Sequence, residues 1–276
     1  MRAALVQLSS SDDPVQNLPV TLDLLSKAAG SGADLIVTPE VTNCVSLSRG
    51  HQSAVLQTEA EDITLAACRT FARDHGVWLL IGSLALKSDA ADKRFVNRSF
   101  LITGDGAVAA RYDKIHMFDV AVTPSETFRE SDGYAPGDKA VVAATPWGKL
   151  GMTICYDLRF AHLYRDLAKA GAEVLTIPSA FSPVTGAAHW EVLLRARAIE
   201  TGSYVLAPAQ CGSHDATRGK PRQTHGHSLA VDPWGTVLAD AGGEPGVTLV
   251  TLEMAAVASA RGRIPALSHD RPYGAP

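Results

Sequence analysis

The stretch Lys149–Phe160, KLGMTICYDLRF, sets a lone cysteine where an apolar run breaks into charge. The residues before Cys155 read as a short buried strand. Those after it, through His162, Leu163, Leu167 and Ala168, carry the spacing of a helix face. A thiol at a strand-to-helix corner is exposed at the carboxyl edge of a sheet, where open α/β folds place their chemistry. Free cysteine is also among the most buried residue types and often a plain small hydrophobe. Taken alone, the stretch leaves packing and catalysis both open.

Working outward, short runs rich in Val, Ile and Leu recur: AALVQL, DLIVTP, VWLLIGS, RSFLITG, EVLTIP, YVLAPA, HSLAVD and GVTLVTL. Helical faces lie between several of them, marked by Leu18, Leu22, Leu25 and Ala29, by Ile63, Ala66, Ala67 and Phe71, and by Leu193, Leu194, Ala198 and Ile199. Gly104-Asp105-Gly106 and Asp232-Pro233-Trp234-Gly235 are hairpin signals. Alternating strands and helices together with hairpins predict a mixed α/β architecture. No glycine-rich phosphate loop follows a strand, and no internal repeat or linker is visible, so residues 1–276 are expected to form a single domain. Residues 41–58, 86–94, 119–139 and 212–224 read as surface loops.

Composition removes several function classes. The 276 residues are 46% hydrophobic and 20% charged, which supplies a core and argues against disorder. A net charge of -4, without a basic block, gives nucleic acid no footing. No apolar run reaches the roughly 18–20 residues that span a bilayer, and MRAALVQLSS reads as a first strand and not as a secretory signal. Cys44, Cys68, Cys155 and Cys211 are far apart without a CxxC pair, which suits a reducing cytoplasm; Cys44 and Cys68 are expected to be structural. His225-Gly226-His227 and His189 lack companion ligands nearby, so no metal is expected, and Gly226-His227-Ser228 reads as a tight turn into SLAVD.

Three further stretches share the opening feature of charge just beyond an apolar run. Asp34-Leu-Ile-Val-Thr-Pro-Glu40 ends a strand at Pro39 and presents Glu40. Lys114 follows VAARYD, and Glu130 sits in the next loop, within TFRES. Each alone is most simply a solvated surface charge. A papain-like Cys–His pair would leave all three unexplained.

Together, TPE, YDKIHMFD, TFRES and GMTICYDLRF resemble the nitrilase superfamily of carbon–nitrogen hydrolases, and the likeness runs from AALVQL through GHSLAVDPWG to the end of the chain. The resemblance implies a four-layer α-β-β-α sandwich and a Glu40–Lys114–Cys155 triad with Glu130 as a second acidic residue. It implies a cytoplasmic, cofactor-free thiol amidohydrolase that takes a small-molecule amide and forms homo-oligomers, dimeric or larger. Cys155 would attack, Glu40 would move the protons, and Lys114 with the Tyr156 backbone N–H would face the oxyanion. Glu130 would orient Lys114 or the attacking water. Burial beside Val37 and Pro39 would raise the pKa of Glu40 while Lys114 would lower it, and the sequence leaves that balance open.

PSAFSPVTGAAHWEVLLRARAIET, YVLAPAQCG and GHSLAVDPWGTV are most similar to the deaminated-glutathione amidases, whereas KIHMFDV with TFRES is closer to the omega-amidases. The implied reaction is release of ammonia from a carboxylate-bearing amide, deaminated glutathione first, 2-oxoglutaramate or 2-oxosuccinamate as the alternative. A nitrilase, an acyltransferase and an inactive scaffold are the remaining readings. For the pocket, Arg159 is expected to grip a substrate carboxylate, or else to pair with Asp157, while Phe181 and Thr185 match lining positions.

Overall fold

The computed structural model describes residues 1–88, 92–123 and 126–274. Parts of two expected loops, 89–91 and 124–125, lie outside the described residues. The chain opens with β1 (Arg2–Gln7), α1 (Pro14–Gly30), β2 (Leu35–Val37), α2 (Arg49–Val55), α3 (Ile63–His75) and β3 (Trp78–Leu86). It continues through β4 (Val96–Ile102) and β5 (Val108–Asp113) into a small hairpin of β6 (Asp119–Thr123) and β7 (Glu126–Arg129). The second half holds β8 (Val141–Thr145), β9 (Gly148–Met152), α4 (Ala161–Lys169), β10 (Val174–Thr176), α5 (Pro183–Thr201) and β11 (Tyr204–Ala207). The remaining strands are β12 (Cys211–His214), β13 (Arg222–His225), β14 (Leu229–Val231), β15 (Val237–Asp240) and β16 (Gly246–Thr251), before α6 (Ala255–Arg263).

Two six-stranded sheets result, ordered β16-β1-β2-β3-β4-β5 and β15-β14-β11-β10-β9-β8. In each, three central strands are parallel, one edge strand is antiparallel and the other edge is an antiparallel pair. Both turns expected from sequence join that edge pair, Gly104–Gly106 between β4 and β5, Asp232–Gly235 between β14 and β15. The chain therefore repeats a topology where its sequence shows no repeat. Strand pairing constrains backbone direction and burial, which many side chains satisfy equally.

Period-two alternation creates the layers. Ala3, Leu5, Leu35, Val37, Leu80 and Leu101 face the other sheet, while Ala4, Val6, Ile36, Leu79, Ile81 and Phe100 face α1 and α3. On the far side, α4 and α5 bring Leu163, Leu167, Trp190 and Leu194 against the second sheet. The fold is the four-layer α-β-β-α sandwich. Helix faces are turned slightly from expectation: α1 buries Asn17, Thr21, Leu24, Leu25 and Ala28, leaving Leu18, Leu22 and Ala29 at the rim. Asn17 earns a buried place because its amide serves Ser11 and donates to the Asn43 carbonyl at 2.8 Å. Ile199 of α5 faces outward, 56% exposed, not into the core.

The carboxyl ends of the parallel strands of both sheets approach each other around Gly82. This residue sits in a bulge of β3, where a Cβ would fall 2.0 Å from the Thr38 carbonyl oxygen and 2.4 Å from Pro178 Cβ. Both neighbours are stiff, so Gly82→Ala is expected to destabilise the fold by about 3 kcal/mol. Gly30→Ala, with open space around its Cβ, should stay within about 1 kcal/mol of wild type. Equilibrium denaturation of both variants checks this, and equal stability would show that the two strand ends are not packed as described.

Candidate active site

Four chain segments meet at the floor of a cavity of about 370 Å³ whose lining includes Glu40, Lys114, Glu130, Cys155, Tyr156, Phe181 and Thr185. Cys155 leaves β9 through Thr153 and Ile154; its N–H donates to the Pro178 carbonyl at 2.9 Å. It then turns with φ +49 into a single 3-10 turn before α4. The strand-to-helix corner is therefore as expected, but the thiol is buried, with Cys155 only 6% exposed. The loops read as surface at 41–58 and 119–139 contribute to it: Val41, Cys44 and Leu47, together with Thr127, Phe128 and Arg129, line the cavity.

Glu40 follows Pro39 beyond β2, ahead of Val41, whose φ of +46 is costly for a β-branched residue. Lys114 is the first residue past β5 and its N–H is held by the Asn97 carbonyl at 3.0 Å. Its ammonium lies 2.9 Å from Glu40 Oε1 and within 3.0 and 2.9 Å of the two Glu130 oxygens. Glu40 also accepts from Asn97 Nδ2 and from the Ala180 N–H, both at 2.9 Å. Glu130 Oε2 accepts from the Phe118 N–H at 2.6 Å. The Cys155 thiol lies close enough to Glu40 and Lys114 for each to act on it electrostatically.

These contacts settle the electrostatic balance. Burial pushes the Glu40 carboxyl up, but the Lys114 ammonium, the Arg222 guanidinium and the hydrogen bonds from Lys114 and Cys155 together hold it below the ordinary value of 4.5. Burial opposes charge on Lys114 too, yet Glu130, Glu40 and Cys155 keep it well above the usual lysine range. Burial, then Glu40, raise the Cys155 thiol against the pull of Lys114. The resting arrangement is thus thiol, carboxylate and ammonium.

Asp157 explains why the cysteine is followed by Tyr and Asp. Fully buried, it accepts from Tyr112 Oη at 2.6 Å and the Ile154 N–H at 2.9 Å on one oxygen, and from the His116 N–H and ring on the other. It fastens the Cys155 turn to the lysine segment on both sides of Lys114. Cys44 lines the cavity, with burial and Asp12 pushing its thiol up to about 12, and Cys68 is buried within α3. Among the described residues, no three His, Cys, Asp or Glu side chains gather as a metal would need.

The Arg159 guanidinium lies over the rings of Tyr156 and Phe181, which line the cavity, and 3.3 Å from His189 Nδ1. It does not pair with Asp157, whose oxygens are taken. The 3-10 turn sets Arg159 on the side facing α5. Residues the sequence reading missed include Asn97, Arg49 and Arg222, all lining the cavity. Asn97 did carry a signal, since a polar residue shares the inward face of β4 with Leu101. Arg222 sits in a stretch read as surface and carried none.

The whole-length match to the carbon-nitrogen hydrolase family, over residues 2–262, agrees with this geometry, and the chain belongs to that family. It is 41% identical to a deaminated glutathione amidase of Yersinia enterocolitica, an alignment covering 97% of this chain and 92% of that protein. Nit3 of Saccharomyces cerevisiae, a member of branch 10 of the nitrilase superfamily, superposes with TM-score 0.85 at 28% identity, covering 98% of this chain and 96% of that one. A variant of an amidase from Nesterenkonia sp. AN1, carrying acrylamide joined by Michael addition to its active-site cysteine, matches with TM-score 0.77 at 27% identity over 96% of this chain and 98% of that one. This protein is a carbon–nitrogen hydrolase of the nitrilase superfamily.

A carboxyl whose folded pKa lies below its unfolded one stabilises the fold above the unfolded value, and that contribution is lost as pH falls through the folded value. Glu40 is such a group. The stability advantage of wild type over Glu40→Gln should therefore be full at pH 7 and shrink below about pH 4.5. Denaturant unfolding of both proteins at several pH values reads it; a difference independent of pH would contradict the ionised state of Glu40.

Proposed function

We propose that residues 1–276 act as one amidase domain in which Cys155, Glu40, Lys114 and Glu130 cleave a small carboxylate-bearing amide through a thioester, with deaminated glutathione as the substrate. The observation that carries the reading is the buried Lys114 ammonium, 2.9 Å from Glu40 and clasped by Glu130, on the floor of the cavity that also holds Cys155. The Cys155 sulfur attacks the amide carbon while Glu40 takes the thiol proton. Because the thiol is raised and Glu40 lowered, a free thiolate is disfavoured, and the proton leaves as the new C–S bond carries charge onto the carbonyl oxygen. That oxyanion faces Lys114 and the Tyr156 N–H, the second amide of a 3-10 turn and so without a partner inside it.

Collapse of the tetrahedral adduct breaks the C–N bond, with Glu40 returning the proton to the departing amine. Water, deprotonated by Glu40, then attacks the thioester, releasing the acid and restoring the thiol. Glu130 holds Lys114 in place through both oxygens. Phe181 and Thr185 shape the substrate side of the cavity. Ammonia is the leaving group only for a primary amide; with deaminated glutathione it is the amine of cysteinylglycine. Relatives named deaminated glutathione amidase, 41% and 38% identical over nearly the whole chain, support this substrate. The chemistry calls for no cofactor.

No helix among the described residues is long and apolar enough to cross a membrane, and we place the enzyme in the cytoplasm. We also take it to form a homo-oligomer, dimeric or larger. Val192 and Ile199 on α5 are 68% and 56% exposed, with Trp234 and Leu238 also exposed, an apolar surface suited to a second copy.

Cys155→Ala is expected to abolish turnover, and Lys114→Ala to cut kcat on the order of 100-fold or more with less effect on KM. Comparison of kcat/KM for deaminated glutathione, 2-oxoglutaramate, a simple aliphatic amide and a nitrile tests the substrate. A hundredfold preference for 2-oxoglutaramate would move the assignment to omega-amidase, and near-normal turnover by Cys155→Ala would end the thiol mechanism.

A further inference from the structure

We propose that Arg222, at the start of β13, recognises the carboxylate of the substrate. The proposal rests on the amidase reading above and adds an anionic contact on the β13 side of the cavity, apart from Arg159, which lies against Tyr156 and Phe181. Three guanidinium groups line the cavity: Arg49, Arg129 and Arg222. Arg49 is occupied, donating to Gln52 Oε1 and to the carbonyls of Arg129 and Glu130 while lying over the Tyr134 ring. Arg129 stands exposed on the outer hairpin. Arg222 acts electrostatically on the Glu40 carboxylate.

Its fork is only part used. One terminal nitrogen donates to the Ala180 carbonyl at 2.7 Å, and among the described residues no carboxylate pairs with it. The same residue, Ala180, donates its N–H to Glu40 Oε2, the carboxylate oxygen that Lys114 does not take. Arg222 is thus joined to the Glu40 carboxylate through a single residue. The adjoining segment offers a second polar group: Ser182, 4% exposed and also in the lining, has a hydroxyl with no hydrogen-bond partner. A part-used guanidinium and an unpaired hydroxyl, lining the same cavity, are what a planar anionic group would fill.

Deaminated glutathione bears one carboxylate on its acyl portion and one on its amine portion, whereas 2-oxoglutaramate bears only the former. The test compares wild type, Arg222→Gln and Arg222→Lys on these two amides and on butyramide, which has none. For Arg222→Gln the ratio of kcat/KM for an acid amide to that for butyramide should fall on the order of 10–100-fold, mainly through KM, with Arg222→Lys intermediate. A fall for both acid amides places the acyl carboxylate at Arg222; a fall for deaminated glutathione alone places the amine-side one there. An unchanged ratio overturns the proposal, whether rates stay normal or all three substrates decline together, the latter meaning that Arg222 serves only to hold Ala180 and the charge on Glu40. If wild type turns over neither acid amide, it is the amidase assignment that fails.

Discussion

Everything in this molecule is arranged around an ammonium that has been taken out of water. Lys114 is 2% exposed and Glu40 4%, with Glu130 close beside them. Removing such ions from solvent costs several kcal/mol each unless geometry and further hydrogen bonds offset it. Here the offset is complete: the ammonium donates to three carboxylate oxygens, and the carboxylates accept in addition from Asn97, the Ala180 N–H and the Phe118 N–H. No single chain segment could supply these partners. They come from the ends of strands in both sheets and from the hairpin region between the halves, so the fold must be complete before the charges are tolerable.

The sandwich makes that convergence possible. Parallel strands all deliver their carboxyl ends to one edge of a sheet, where loops are free to carry chemistry. Glu40 lies beyond β2, Cys155 beyond β9, Ala180 beyond β10, and Gln210, beyond β11, donates to the Glu40 carbonyl at 3.0 Å. Because the two sheets share a topology, matching edges can be apposed, and Gly82 is the residue small enough to let them touch. Asp157 then ties the Cys155 turn to the lysine segment.

What could be read in the sequence follows from the same logic. Glu40, Lys114 and Cys155 each break an apolar run abruptly, and that local discontinuity is visible without a structure. Strand periodicity and the two hairpin turns were legible for the same reason, being properties of neighbours in the chain. Arg222, Asn97 and Asp157 act through partners 41 to 57 residues away, and no local pattern encodes such a pairing. Arg159 is the converse case. Its spacing from the cysteine was legible, but its neighbours Tyr156, Phe181 and His189, and the absence of a pair with Asp157, were not. The 41–58 loop was misjudged because polar composition suggests solvent, whereas residues 41–45 are buried and Ser46, Arg49 and Gln52 line the cavity.

The strain at the site has a chemical reading. Cys155 and Val41 both hold positive φ, a conformation that costs on the order of 1–3 kcal/mol for residues of this kind. The cost falls at the two places where a catalytic group must turn sharply off a strand end, and the surrounding hydrogen bonds hold it. Such rigidity fits a site whose charges suit the middle of a reaction better than its start. A raised thiol beside a lowered carboxylate is a poor acid–base pair at rest. In the proposed mechanism, once negative charge has moved to an oxygen facing Lys114, the sulfur no longer bears it, and the proton can reside on Glu40 at little cost. Electrostatic preorganisation of this sort favours the tetrahedral adduct over the separated thiolate, and it withholds a reactive anion until a substrate is present to receive it.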